Sequence, residues 1–142
     1  MASDFQMKAM NKVHSATLKL SGGRLGWHMY GMPVVELTTI GRKSGQPRTS
    51  LLTSPVQNDD AFVIVASRGG DDHHPAWYLN LLETPQVQVS YKGAPHKIMT
   101  ARTANAQERA RMWPVVAGAY KGYAGYQEKT SREIPLVILS ES

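Results

Sequence analysis

The 142-residue chain contains no cysteine, so disulfides, thiolate zinc sites and thiol nucleophiles are all excluded. No stretch approaches the roughly 18 apolar residues of a membrane-spanning helix. The first residues lack the long apolar core of a secretory signal, and with no disulfides the expected location is the cytoplasm. Internal repeats, low-complexity tracts and an obvious linker are missing, which points to one domain overall. Metal-binding spacing is missing as well. Asp71-Asp72-His73-His74 occupies adjacent loop positions that seldom aim at one ion, and His14, His28 and His96 form no paired motif. No metal site is expected. Ser44 and Ser67 have no identifiable base and no nucleophile elbow, so hydrolysis is disfavoured.

What the chain does hold is positive charge. A formal net charge of +5 and a pI near 9.6 favour anionic partners. Nucleic acid, acidic lipid and a polyanionic cofactor all satisfy that condition. Single-stranded nucleic acid would need aromatic platforms on the strands, and the strand-like segments carry almost none.

Periodicity organises the chain. Residues 4–20 read as a weakly amphipathic helix, with Met10, Val13 and Thr17 on one face and Lys8, Lys12 and Lys19 around the others. Ser21-Gly22-Gly23 stops it. Such a basic helix either packs on the domain or rests on an anionic membrane surface. Strands are predicted over residues 34–40, 48–56, 61–66, 87–91, 96–102 and 135–139. Helices are predicted over 75–83 and 105–120, the second kinked or restarted at Pro114. Six short strands with intervening helices imply a mainly β, α+β fold, a small antiparallel barrel. Residues 1–33 form its N-terminal helix and lead-in, and residues 34–142 the barrel.

Three segments carry candidate chemistry. Thr39-Ile40-Gly41-Arg42-Lys43-Ser44-Gly45-Gln46-Pro47-Arg48 packs three cations and two glycines just after an apolar strand. A glycine-bounded turn of this kind presents N–H groups and guanidinium forks to a phosphate or carboxylate. It fits a solvated, edge-protecting hairpin equally well. The glycine spacing matches neither a Walker loop nor a dinucleotide fingerprint. Val65-Ala66-Ser67-Arg68-Gly69-Gly70 ends a second apolar strand in a cation and two glycines, and leads to Pro75-Ala76-Trp77-Tyr78-Leu79-Asn80. Here Trp77 either walls a planar ring or packs in the core. Tyr120, Tyr123 and Tyr126, spaced by three, place their phenols along one helical face. They offer an apolar wall with polar tips for a flat, oxygen-bearing molecule, and Gly122 and Gly125 suggest a mobile lid.

Taken in order, residues 37–48, Ala66-Ser67-Arg68-Gly69-Gly70 and Pro75-Ala76-Trp77-Tyr78-Leu79-Asn80-Leu81 resemble the deazaflavin-dependent nitroreductase family. Ala101-Arg102, Glu108-Arg109, Trp113-Pro114, Ile134-Pro135 and the tyrosine segment extend the resemblance over roughly residues 34–139. The resemblance implies a split, FMN-binding-like β-barrel that binds coenzyme F-420, an 8-hydroxy-5-deazaflavin with a phospholactyl-oligoglutamate tail. On that basis Arg42, Lys43, Ser44 and Arg48 meet the anionic tail. Ala66, Ser67, Arg68 and Gly69 meet the phosphate and the approach to the ring, with Arg68 where many relatives carry lysine. Pro75, Trp77 and Asn80 line the deazaflavin. Tyr120, Tyr123 and Tyr126 border the substrate, and Ser67 and Tyr123 assist catalysis. The implied reaction passes hydride from the reduced cofactor to a small hydrophobic acceptor: a quinone, a nitroaromatic or an activated enone. Two other readings stay open, an FMN oxidoreductase of the pyridoxamine-oxidase-like group and a basic nucleic-acid-binding barrel without catalysis. Monomer and homodimer are both compatible, and peripheral contact with the inner face of a membrane is an expectation for the N-terminal helix.

Overall fold

The computed structural model describes residues 28–29, 32–57, 61–91 and 94–141. The N-terminal helix expected over residues 4–20 lies outside them. The described elements are β1 (His28–Met29), β2 (Met32–Ile40), β3 (Pro47–Thr53), β4 (Val56–Gln57), β5 (Ala61–Val65), α1 (Ala76–Glu83), β6 (Gln86–Tyr91), β7 (Lys97–Thr103), α2 (Ala106–Ala119), α3 (Gly122–Lys129) and β8 (Leu136–Glu141).

All strand pairings are antiparallel, in the order β1-β2-β6-β7-β8-β5-β4, and β3 pairs with β2. The sheet curls because one length of chain serves both of its ends. Residues 47–53 pair with β2 and residues 56–57 with β5, on either side of a bend at Ser54-Pro55. Buried Ser54 staples that bend, its single hydroxyl proton shared between the carbonyls of Val56 at 2.9 Å and Val63 at 2.8 Å. The single strand expected over 48–56 is therefore two. With the short β1 added, the expected six strands become eight among the described residues.

Side-chain alternation divides the strands between two cores. Val35 and Leu37 from β2, Ile64 from β5, Val87 and Val89 from β6, Met99 and Ala101 from β7, and Val137 and Leu139 from β8 fill the first. The intervening residues Val63, Val65 and Leu136 face the other way, into a second core with Met32, Val116, Tyr123 and Ile134. This explains why β5 and β8 read as unbroken apolar runs: both of their faces are buried.

Trp77, Tyr78 and Leu81 seat α1 on the first core. α2 begins with a capping box, in which the Asn105 side chain accepts from the Glu108 N–H and Glu108 accepts from the Asn105 N–H. The helix does not restart at Pro114, and α2 runs through it from Ala106 to Ala119. Proline there frees the carbonyl of Ala110, which sits on an exposed face where water can satisfy it.

Candidate cofactor and acceptor site

The basic turn between β2 and β3 closes on itself. The Gly41 N–H donates to the Gln46 carbonyl and the Gly45 N–H to the Gly41 carbonyl, each at 2.8 Å. Gly45 has φ +70°, a conformation that favours glycine, and a Cβ on Gly41 would lie 2.5 Å from Ser44 Oγ, so a side chain there would displace the serine hydroxyl. Ser44 Oγ accepts from the Gln46 N–H at 3.2 Å and from Arg48 Nη2 at 3.5 Å. Arg42, Lys43 and Arg48 are all exposed. Asn80 of α1 holds this turn from inside the protein. Its Oδ1 accepts from the Arg42 N–H at 3.2 Å and from Arg42 Nη1 at 2.9 Å, while its Nδ2 donates to buried Thr39 Oγ1 at 3.1 Å.

The second turn follows β5. Arg68, Gly69 and Gly70 have φ of +47°, +63° and +84°, three left-handed residues in succession. Such a conformation in arginine costs about 1 kcal/mol and persists only where the surroundings impose it. Asp71 supplies part of the restraint, accepting from Arg68 Nη1 at 3.0 Å and from the His73 N–H at 2.8 Å. These contacts hold the Asp71 carboxyl below its ordinary range, the hydrogen bonds from His73 contributing most. Arg132 supplies the rest, donating to the carbonyls of Ala66, Ser67 and Asp71.

The tyrosines form a cluster, though not along one helix. Tyr120 caps the C-terminus of α2, whereas Tyr123 and Tyr126 belong to α3. Ring centroids are 5.2 Å apart for Tyr120–Tyr123, 6.3 Å for Tyr123–Tyr126 and 6.4 Å for Tyr120–Tyr126. Tyr123 is 5% exposed, with its hydroxyl 2.7 Å from Thr53 Oγ1. Burial raises its pKa above the usual tyrosine value, so the phenol stays protonated at neutral pH. Tyr120 and Tyr126 are half-buried. The segment is anchored at two points. Tyr123 sits in the second core, and Gln127 accepts from the Ile134 N–H at 2.9 Å and from Arg109 Nη2 at 3.0 Å.

α3 also packs directly on the second turn, where a Cβ on Gly70 would lie 2.8 Å from the Tyr126 carbonyl oxygen. The fold thereby brings the turn that holds Ala66, Ser67, Arg68 and Gly69 against α3 through Gly70, and joins the basic turn to α1. It does not present Trp77 as an open wall. Trp77 is 8% exposed and packs edge-on against Tyr78 in the first core, just after buried Pro75. Asn80 likewise spends its polar atoms on Thr39 and Arg42, and the Arg68 guanidinium faces Asp71. Two residues absent from the sequence expectations, Arg132 and Thr53, are central to this geometry. Neither stands in a pattern that would single it out.

A cofactor carrying phosphate and carboxylates fits these residues. The N–H groups of Ser67 and Gly69 have no partner among the described residues, and neither does Ser67 Oγ. Three exposed cations lie on the basic turn for the carboxylates.

The curled antiparallel sheet, with a cation-bearing glycine turn at two of its strand ends, is shared with solved F420-dependent reductases of the split-barrel fold. A sequence model described as F420H(2)-dependent quinone reductase matches residues 10–141, and the chain belongs to that family. It is 38% identical over 133 residues to the F420H(2)-dependent quinone reductase of Mycobacterium tuberculosis strain H37Rv, covering 91% of this chain and 88% of that one. A solved F420-H2 dependent reductase is 39% identical with a TM-score of 0.67, covering 76% of this chain and 94% of its own. A structure described as a domain-swapped dimer is 36% identical with a TM-score of 0.70, covering 93% and 99%. The family makes the chain an F420-dependent reductase and its cofactor coenzyme F-420, with flavin mononucleotide no longer required.

Proposed function

We propose that this chain reduces quinones with hydride drawn from reduced coenzyme F-420, held across the two strand-end turns. The observation that carries this reading is the 66–71 turn. Its carbonyls are tied inward by Arg132, the Ser67 and Gly69 N–H groups are unpartnered among the described residues, and Gly70 packs against the backbone of Tyr126 in α3. Membership of the family named for quinone reduction supports the acceptor class.

When bound, the reduced deazaflavin supplies the hydride, and the protein supplies position and electrostatics. Ser67 N–H, Gly69 N–H and Ser67 Oγ receive the phosphate and border the reacting face, beside Ala66 and the Arg68 backbone. Arg42, Lys43 and Arg48 meet the tail carboxylates, with Ser44 bracing Arg48. Asn80, Pro75 and Trp77 act from beneath, fixing the basic turn and the first turn of α1. Tyr120 and Tyr126 wall the acceptor. Conversion of a quinone to a hydroquinone takes one hydride and one proton, so the site must also hold a proton. Tyr123 holds it: burial keeps the phenol protonated, and Thr53 orients the hydroxyl from 2.7 Å.

The test is a fluorescence titration with the coenzyme and with its tail-free chromophore, followed by reduction of a soluble quinone. Tighter binding of the tailed form and quinone turnover are expected. Absence of binding by the tailed form would sink the proposal.

We further propose a homodimer in the cytoplasm, the assembly being suggested by the related domain-swapped dimer. Light scattering on the eluting protein tests it, a monomer mass being the contrary result. No helix among the described residues is long and apolar enough to cross a membrane. Contact of the basic N-terminal sequence with anionic lipid is tested by sedimentation with vesicles at low salt, where an unbound protein refutes it.

A further inference from the structure

Arg132 lies in the loop between α3 and β8, between the tyrosine segment and Ile134-Pro135 but in neither motif. Its guanidinium nevertheless spans the whole second turn. Nε donates to the Asp71 carbonyl at 2.8 Å, Nη2 to the Ser67 carbonyl at 2.8 Å and Nη1 to the Ala66 carbonyl at 3.2 Å. Nη1 also lies 3.2 Å from His74 Nδ1. Gln127 fixes the loop in turn, its Nε2 donating to the Arg132 carbonyl at 2.7 Å.

Two consequences follow from elementary geometry and charge. In a trans peptide the C=O and the following N–H point in opposite directions. Drawing the Ala66 carbonyl onto Arg132 therefore sends the Ser67 N–H out of the opposite side of the turn. Second, Arg68 faces Asp71 at 3.0 Å, whereas the Arg132 hydrogen bonds go to carbonyls and a ring nitrogen instead of a carboxylate. Arginine retains its charge even when partly desolvated, as it is here. The turn is thus backed by a cation whose donors are spent on backbone and on His74, and whose charge, partly offset by the Asp71 and Asp72 carboxylates, adds to the field behind the turn.

We infer that Arg132 is a positioning residue for anion binding. It acts through the 66–71 backbone, aiming the Ser67 N–H at the cofactor's phosphate and placing a cation behind it. The inference rests on the proposed placement of coenzyme F-420 across this turn, and adds a residue that need not touch the cofactor.

The experiment compares wild type, Arg132→Met and Arg132→Lys by fluorescence titration with the tailed coenzyme and the tail-free chromophore. In Arg132→Met, affinity for the tailed form is expected to fall about tenfold or more, with tail-free affinity within about twofold. Arg132→Lys keeps the charge and loses the fork, so it should fall in between. If the Met variant does not fold, the Lys variant alone decides, through its ratio of tailed to tail-free affinity. An unchanged ratio in the folded variants, or equal weakening of both ligands, overturns the inference in favour of a purely structural clamp. Absence of any tail preference in wild type instead overturns the placement of the phosphate, and the role of Arg132 with it.

Discussion

Asn80 and Arg42 are joined twice across 38 residues of sequence, once through the Arg42 N–H and once through its guanidinium, both on Asn80 Oδ1. A buried carboxamide on α1 thus sets the direction of an exposed turn. Because the same side chain also donates to Thr39, its orientation is fixed on both sides.

Asn80→Ala removes all three bonds and leaves the fully buried Thr39 hydroxyl without its donor. The expected cost is about 1–3 kcal/mol in urea unfolding. Preference for the tailed cofactor should weaken at the same time, as Arg42 is released. A variant of wild-type stability and wild-type tail preference would show that the turn orients itself.

Gly70→Ala and Gly69→Ala should part company. Both residues have positive φ, so each substitution strains the backbone by about 1 kcal/mol. Around Gly69 nothing lies within 4 Å of an added Cβ, whereas at Gly70 that atom would meet the Tyr126 carbonyl oxygen at 2.8 Å. Gly70→Ala must therefore push α3 off the turn as well. Thermal denaturation is expected to show the larger loss there, and equal losses would mean that α3 yields without cost.

Tyr123→Phe deletes the hydroxyl paired with Thr53 at 2.7 Å. We expect about 1 kcal/mol of destabilisation, cofactor affinity within about twofold and quinone turnover down by about tenfold. Steady-state kinetics beside direct titration separate these effects. Wild-type turnover in the variant would take Tyr123 out of proton delivery.

Glu108 has its pKa lowered to about 2, first through hydrogen bonds from Arg102 and then from the Asn105 N–H. Its folded pKa lies below the unfolded value, so the stabilisation is fully present above the unfolded pKa and disappears as pH falls toward about 2. Glu108→Gln should lose stability at neutral pH and show a shallower decline from about pH 5 to pH 2 than wild type. Parallel decline in the two proteins would remove the Arg102–Glu108 pair as a source of acid sensitivity.

Local pattern was enough to locate most elements, because their causes are local. β5 and β8 announce themselves as apolar runs, and α2 ends within one residue of its expected bounds at Asn105 and Tyr120. The break at Ser54-Pro55 was hidden because the residues on both sides are extended, and only the change of pairing partner from β2 to β5 divides them. Pro114 shows a related dependence: whether a helix restarts at proline depends on what surrounds the carbonyl it frees. Trp77 shows the same ambiguity, since a ring that stacks and a ring that fills a core are one letter in a sequence.

By itself the sequence determined the chemistry on offer: no thiols, an excess of cations, two glycine-bearing turns at strand ends and three tyrosines at regular spacing. Those features follow from composition and near-neighbour order, and they carried the resemblance to a deazaflavin-dependent family. Tertiary structure alone decided which cations face outward and which are spent inside. Arg42 is steered by Asn80, Arg68 is drawn to Asp71, and Arg132 crosses 66 residues of sequence to grip the Ala66 carbonyl. The physical reason is that a guanidinium has the same charge wherever it lies, and only packing determines whether its donors find a ligand or the protein's own backbone.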